Sequence, residues 1–262
     1  MAATYLDKIL ERHREVAAAD DRPVERLLDE ARAMPATRGF RAALVGRDRL
    51  GVIAEIKRRS PSKGHLNVDL DPARWAAMYE RGGAACMSVL TDVEAFGGSV
   101  DDLRVARAAC SLPVIRKDFT VSERDVLDTR IMGADCVLLI AAALEPAELA
   151  AFHALAIDIG LGVLVEIHDE HELEHALAAD ATLIGVNQRD LVTFGVDHDR
   201  AVRMAGTIPE HAVKVAESGV RNSADARSLH EAGYDAVLVG ETIVTHCDPV
   251  AAINDLIGEV TQ

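Results

Sequence analysis

Lysines, carboxylates and one amide stand at the ends of apolar runs in this 262-residue chain, and their spacing gives them a common direction. Glu55 and Lys57 are two apart, as are Asn187 and Arg189. In an extended strand that separation puts both side chains on one face. Lys117, Glu166 and Glu217 close three further runs. Ammonium and carboxylate groups gathered at one place can pass protons to and from a bound molecule. A rim of unrelated solvated charges would instead face at random and fall at arbitrary strand ends.

The elements that must position these groups follow from the pattern of the chain. Apolar, β-branched runs occupy residues 52–57, 84–90, 114–117, 136–140, 163–167, 183–187, 212–215 and 236–239. Most are apolar throughout rather than alternating, the mark of parallel strands covered on both faces. The intervening stretches carry helix-start chemistry. Asp71-Pro72 and Asp248-Pro249 each offer a cap followed by proline, and Ser122 with Asp125 and Asn222 with Asp225 have the spacing of a cap and an acidic third residue. Eight such units predict one α/β fold, a single (β/α)8 TIM barrel over residues 51–262. Residues 1–50 lie outside the repeat. A stripe of Leu6, Ile9, Leu10 and Val16 after Thr4, and a second amphipathic stretch over 24–34, predict an N-terminal helical extension packed on the barrel. The charged residues then fall at the C-terminal ends of strands one, three, five, six and seven, the face where barrels of this kind hold their sites.

Composition excludes other classes. A formal charge of −15 gives the long-range field the wrong sign for nucleic acid or an anionic membrane surface. With 49% hydrophobic and 27% charged residues the chain is globular rather than disordered. The first residues carry too many charges for a secretory leader, and the longest apolar run, 136–144, is too short to span a bilayer. Four cysteines without a CxxC pair read as reduced, buried and inert thiols in a cytoplasmic protein. The 28 basic residues include only five lysines, at 8, 57, 63, 117 and 214, so two of them stand at strand ends.

Two glycine-bearing turns point to a phosphate. Glu217-Ser218-Gly219 and Val239-Gly240-Glu241 each place glycine where strand passes to helix in units seven and eight, where backbone amides and a helix start can cradle an anion. Gly97-Gly98 is read as a flexible loop of unit two. His171-Glu172-Leu173-Glu174-His175 spells the HExxH pattern of zinc hydrolases. It opens the helix after strand five, however, whose core side is assigned to Leu173, Ala176 and Leu177. That leaves the histidines on a solvated flank, and no metal is assigned.

The segment 54–64, Ala-Glu-Ile-Lys-Arg-Arg-Ser-Pro-Ser-Lys-Gly, resembles the signature of the indole-3-glycerol phosphate synthase family. The resemblance continues through Leu90-Thr91-Asp92, Phe96-Gly97-Gly98-Ser99, Arg116-Lys117-Asp118-Phe119, Val165-Glu166, the segment 185–191, Ala216-Glu217-Ser218-Gly219 and Val239-Gly240-Glu241. Gln188 stands where the family often has asparagine, and its side chain is expected to point away from the mouth.

The resemblance implies a carboxy-lyase of tryptophan biosynthesis that needs no cofactor. It would convert 1-(2-carboxyphenylamino)-1-deoxyribulose 5-phosphate to indole-3-glycerol phosphate, CO2 and water. Glu55, Lys57, Lys117, Glu166, Asn187 and Glu217 are then the expected catalytic set. Lys117 would be the acid at ring closure, its pKa lowered by burial and a neighbouring cation. Glu166 and Lys57 would serve the dehydration, and Glu55 and Glu217 would hold the lysines. Ser218, Gly219, Gly240 and Glu241 would receive the phosphate, Arg189 the carboxylate or sugar, and Phe96 and Phe119 the aromatic ring. Ser60 belongs to an expected mobile loop, 60–64, in which Lys63, with Arg58 before it, would draw in the anionic substrate. The expected partner is this small phosphorylated molecule, with no nucleic acid or membrane, and the chain is expected to be a monomer or weak homo-oligomer. Two other readings are a phosphoribosyl isomerase barrel of tryptophan or histidine biosynthesis and, remotely, the HExxH zinc hydrolase.

Overall fold

The strand-like runs of the sequence form one closed sheet in the computed structural model, which describes residues 4–258. We label its strands β1 (Gly51–Ile56), β2 (Cys86–Leu90), β3 (Val114–Lys117), β4 (Cys136–Ile140), β5 (Gly162–Ile167), β6 (Leu183–Asn187), β7 (Val213–Glu217) and β8 (Ala236–Val239). Each pairs in parallel with its sequence neighbour, and β8 closes the ring against β1. The expected (β/α)8 barrel is therefore the fold. The seventh strand starts one residue later than expected and runs on to include Glu217.

Helices follow each strand: α3 (Pro72–Arg81), α4 (Val93–Phe96) and α5 (Val100–Ala108), α6 (Glu123–Ile131), α7 (Pro146–Asp158), α8 (Glu170–Ala178), α9 (Arg200–Met204), α10 (Ser223–Glu231), and α11 (Glu241–Val244) with α12 (Pro249–Ile257). Their starts obey the capping chemistry of the sequence. Asp71, Ser122, Asn222 and Asp248 accept from first-turn amides, which would otherwise lack partners. Outward-facing Val52, Ala54, Met87, Val137, Val163, Val165 and Val237 pack against these helices.

Two helices precede the barrel, α1 (Tyr5–Ala19) and α2 (Val24–Ala33). Thr4 and Asp7 form a capping box at the start of α1. Helix α2 lies along α6, while α1 crosses the C-terminal mouth of the barrel, where Arg12 and His13 meet Asp92 after β2. At the opposite end, Phe40 and Leu44 close the barrel floor.

Two loops differ from expectation. The segment after β1, read from sequence as a loop, carries a short antiparallel ladder, Arg59–Ser60 against Gly64–His65. The Gly97-Gly98 turn is tightly determined, because Gly98 donates to the Asp92 carbonyl at 3.0 Å and a Cβ there would run into the Leu90 carbonyl. This turn holds Phe96 at the mouth.

Candidate functional site

Residues pointing into the barrel recur every second position, and at one height they change from apolar to ionisable. Strand β1 gives Ile53, then Glu55; β3 gives Ile115, then Lys117; β5 gives Leu164, then Glu166; β7 gives Val215, then Glu217. A barrel layer of four side chains comes from alternate strands, and here the four odd strands supply three carboxylates and an ammonium. Lys57, just beyond β1, and Asn187, at the end of β6, complete the set.

The hydrogen bonds pair these groups off. Lys57 Nζ donates to Glu55 Oε1 at 2.5 Å, and Lys117 Nζ to Glu166 Oε2 at 2.9 Å with Glu217 Oε2 at 3.6 Å. Asn187 Nδ2 donates to the other Glu166 oxygen at 2.9 Å. Room for this crowding comes from two glycines. A Cβ on Gly185 would strike Glu217 Oε1, and one on Gly240 would strike Glu55 Oε1 and lie 3.1 Å from Lys57 Nζ. Gly240, expected only as a phosphate contact, also makes space for the Glu55–Lys57 pair.

Three buried carboxyls face two lysines, so the site is one cation short of neutralising them all by ion pairing. Burial alone would push the Glu166 carboxyl up, but Lys117, His168 and the Asn187 hydrogen bond outweigh it and hold the group down at about 2. Glu217 goes the other way. Burial, and then the neighbouring Glu166 charge, push it up to about 8, so it keeps its proton at neutral pH. The expected weakening of Lys117 is not found. Burial pulls its pKa down, yet Glu166, Glu217 and Glu55 together raise it above the ordinary lysine value. The other lysine of the set, Lys57, is held on Glu55.

Above this layer opens a cavity of about 470 Å³. It is lined by every residue assigned to the site from sequence: Glu55, Lys57, Lys117, Glu166, Asn187 and Glu217 on its floor, with Ser60, Phe96, Phe119, Arg189, Ser218, Gly219, Gly240 and Glu241 around it. Phe96 and Phe119 stack with centroids 6.4 Å apart on one wall. Ser218 and Gly219 both adopt left-handed backbone conformations on the opposite side, with φ of 63° and 76°. Gln188 turns from the mouth, as expected, and donates to the Ser218 carbonyl at 2.8 Å, bracing that turn. Arg189 Nη1 donates to the Phe194 carbonyl at 3.1 Å.

Other assignments change. Arg58 lines no part of the cavity, because its guanidinium is bound to the Asp102 carboxylate and the Leu70 carbonyl. Lys63 does reach the rim, 3.6 Å from Glu241. Lys214, without a role in the sequence, donates to the Ala205 carbonyl at 2.7 Å. Cys86 and Cys136 are buried in the barrel and burial pushes both thiols up, whereas Cys110 is only half-buried and Cys247 is exposed. His171 and His175 lie on α8 outside the cavity, His171 exposed, while Leu173 and Ala176 face the core.

Sequence reading missed Tyr5, Leu6 and Ile9 of α1, and Leu191, Phe194 and Val196 after β6, all of which line the cavity. The apolar stripe of α1 was visible, but nothing local says that its partner is the mouth. His13, Asp92 and Asp118 could in principle gather a metal ion. The Asp92 carboxylate already receives Arg12 and the Ala95 amide, and Asp118 receives Thr91 and Arg116. The Arg12 and His13 bonds to Asp92 dock α1 on the mouth, with the His13 ring 5.5 Å from Phe119.

The family model described as indole-3-glycerol phosphate synthase matches residues 6–256, covering all but the first residue of α1 and every barrel strand. The chain belongs to the indole-3-glycerol phosphate synthase family. It is 52% identical over 233 residues to "Indole-3-glycerol phosphate synthase 2" of Streptomyces coelicolor, covering 89% of this chain and 90% of that one. It is 44% identical over 259 residues to the indole-3-glycerol phosphate synthase of Polaromonas naphthalenivorans, covering 97% and 98%. Solved structures with the same fold include a 3-hexulose-6-phosphate synthase, with TM-score 0.60 over 80% of this chain and 99% of that one at 16% identity. A thiamine phosphate pyrophosphorylase of Pyrococcus furiosus aligns with TM-score 0.59 over 79% and 93%, also at 16% identity. The activity is that of the family, an indole-ring-forming carboxy-lyase of tryptophan biosynthesis acting on a small phosphorylated substrate. Among the described residues no helix is long and apolar enough to cross a membrane.

Proposed function

We propose that the layer of Glu55, Lys117, Glu166 and Glu217, with Lys57 and Asn187 above it, carries out ring closure, decarboxylation and dehydration of 1-(2-carboxyphenylamino)-1-deoxyribulose 5-phosphate. The observation that carries this reading is the placement of two paired lysines beneath an aromatic wall and opposite two glycine turns.

The substrate fits this polarity. Its anthranilate ring lies against Phe96 and Phe119, and its phosphate on the amides of Gly219, Gly240 and Glu241, with Ser218 beside it. Arg189 takes the carboxylate or the sugar hydroxyls, and Ser60 closes the rim. Ring closure forms a bond between the carboxylate-bearing ring carbon and the ribulose carbonyl carbon. Lys117 protonates the carbonyl oxygen as that bond forms. A strongly basic lysine is reluctant to give up its proton, but the developing alkoxide is more basic still, and Glu217 at 3.6 Å carries a proton to restore the ammonium. Loss of CO2 then returns the bonding pair to the ring.

Dehydration follows with Lys57 giving a proton to the departing hydroxyl and ionised Glu166 removing one from the adjacent carbon. Because a carboxylate leaves as neutral CO2, each turnover consumes one proton, consistent with a site that stores one on a buried carboxyl. Four free thiols fit a cytoplasmic protein. Incubating the purified protein with this substrate and following indole fluorescence tests the reading. Fluorescence should rise with the wild type; a folded protein that produces none overturns it.

A further inference from the structure

We propose that His168 is a positioning residue for Glu166: its imidazolium, held by Glu172, is the counter-charge that keeps the Glu166 carboxylate ionised once Lys117 has released its proton. This rests on the reading of Lys117 and Glu166 as acid and base.

His168 follows β5 directly and does not line the cavity, so it cannot act on substrate itself. Its ring is fixed from behind. Glu172 Oε2 accepts from the His168 amide at 2.7 Å and lies 3.0 Å from Nδ1. Glu172 is in turn held by α8, whose cap Asp169 accepts from the Glu172 amide at 2.9 Å. A carboxylate at Nδ1 requires a proton there, so Nε2 carries either a lone pair or the second proton. Nε2 is buried without a hydrogen-bond partner and faces Glu166 Oε1 at 3.9 Å.

Burying an unpartnered lone pair against a carboxylate is unfavourable; burying an N–H+ there is not. The charged groups around the ring are Glu166 of β5, Glu172 of α8 and Arg200 of α9. Burial and Arg200 disfavour the imidazolium, but the two carboxylates outweigh them and raise its pKa above the ordinary histidine value.

The need for a second cation follows from the pairing. Glu166 Oε2 is satisfied by the Lys117 ammonium and Oε1 by the neutral Asn187 amide. While Lys117 is an amine an amide alone would face the buried carboxylate, and once Glu217 has returned the proton the ionised Glu217 shares the Lys117 ammonium with Glu166; an under-compensated buried charge takes up a proton instead. A protonated Glu166 has lost the base needed for dehydration. The HExxH segment therefore does contain a glutamate that orients a histidine, directed at a carboxylate rather than a metal.

The test is kcat against pH for the wild type, Glu172→Gln and His168→Asn, with thermal melts to establish folding. Wild-type kcat should fall with rising pH through a step set by His168. Glu172→Gln keeps the acceptor but loses the charge, so the step should move down by about one pH unit. His168→Asn should lack the step and turn over on the order of tenfold more slowly below it, with KM changed less than about twofold. A step that stays in place in Glu172→Gln, or persists in His168→Asn, overturns the proposal. The His168 titration followed by NMR gives a readout independent of turnover. It should move to lower pH in Glu166→Gln, and an unmoved titration overturns the coupling. A fully active Glu166→Gln sinks the underlying acid–base reading. An inactive Glu166→Gln combined with wild-type pH profiles in the other two variants sinks the His168 proposal alone.

Discussion

The lower barrel interior is filled by Ile53, Cys86, Ile115, Cys136, Leu138, Leu164, Leu183, Val213 and Val215 over a floor of Phe40 and Leu44. The upper interior, one inward position further along the odd strands, holds Glu55, Lys117, Glu166 and Glu217. Both regions are buried and both follow the same period of two. They differ in what burial does. In the lower region it contributes stability directly, because each apolar side chain leaves water and finds neighbours. Above, burial is a cost that charges meet by pairing, and the pairing sets proton affinities: Glu166 down to about 2, Glu217 up to about 8. The two regions separate the work of holding the barrel from the work of moving protons, within one set of strands.

That separation can be broken or sharpened by substitution. The largest expected effect is from Lys117→Ala in the upper layer. Turnover should fall by on the order of 10³-fold or more, the scale of losing a positioned acid together with its charge. Circular dichroism should show an intact fold and calorimetry retained substrate binding; an active Lys117→Ala removes the role given to this residue. In the lower region the reverse is expected. Leu138→Ala opens a cavity in the barrel and should cost about 2–5 kcal/mol in chemical denaturation. The folded fraction should keep its kcat, and a large loss there would mean that the two regions are not separable.

A smaller effect concerns pH. Glu217 in the folded chain lies at about 8 against an ordinary glutamate value of 4.5, so the folded state binds the extra proton between those limits. Its contribution is favourable at low pH and is lost as pH rises through that window. Glu217→Gln removes this dependence, so the melting temperature of the variant relative to wild type should rise between about pH 5 and about pH 9. A constant difference would show that Glu217 is ionised throughout. The smallest effect belongs to α8. Replacing His171 and His175 together by alanine should leave turnover unchanged, as should a metal chelator, and a loss in either experiment would reopen the zinc reading.

Much of this was legible along the chain. Apolar runs of strand length, with Asp-Pro and Ser-x-x-Asp starts between them, required little beyond local sterics and capping, so the eight units and their order could be read directly. The period of two likewise aligned Glu55 with Lys57. The segment 54–64 was specific enough for the family to be recognised. Gly185 was not legible, since a small residue in a strand gives no sign that its missing Cβ makes room for a carboxylate from the next strand. Nor was the position of α1: its apolar stripe requires a partner but does not name one, and the choice of the mouth depends on Asp92 meeting Arg12 and His13 about 80 residues later in the chain.

The sequence by itself determined which side chains would face inward and at which strand ends charge would appear, because strand geometry is local and repeats every two residues. Only the tertiary structure decided the protonation of those charges. Lys117 is strengthened rather than weakened, Glu166 and Glu217 are driven apart, and Arg58 is drawn away to Asp102. The reason is physical: a pKa depends on burial and on distances of a few ångströms between residues far apart in sequence, which exist only once the barrel has closed.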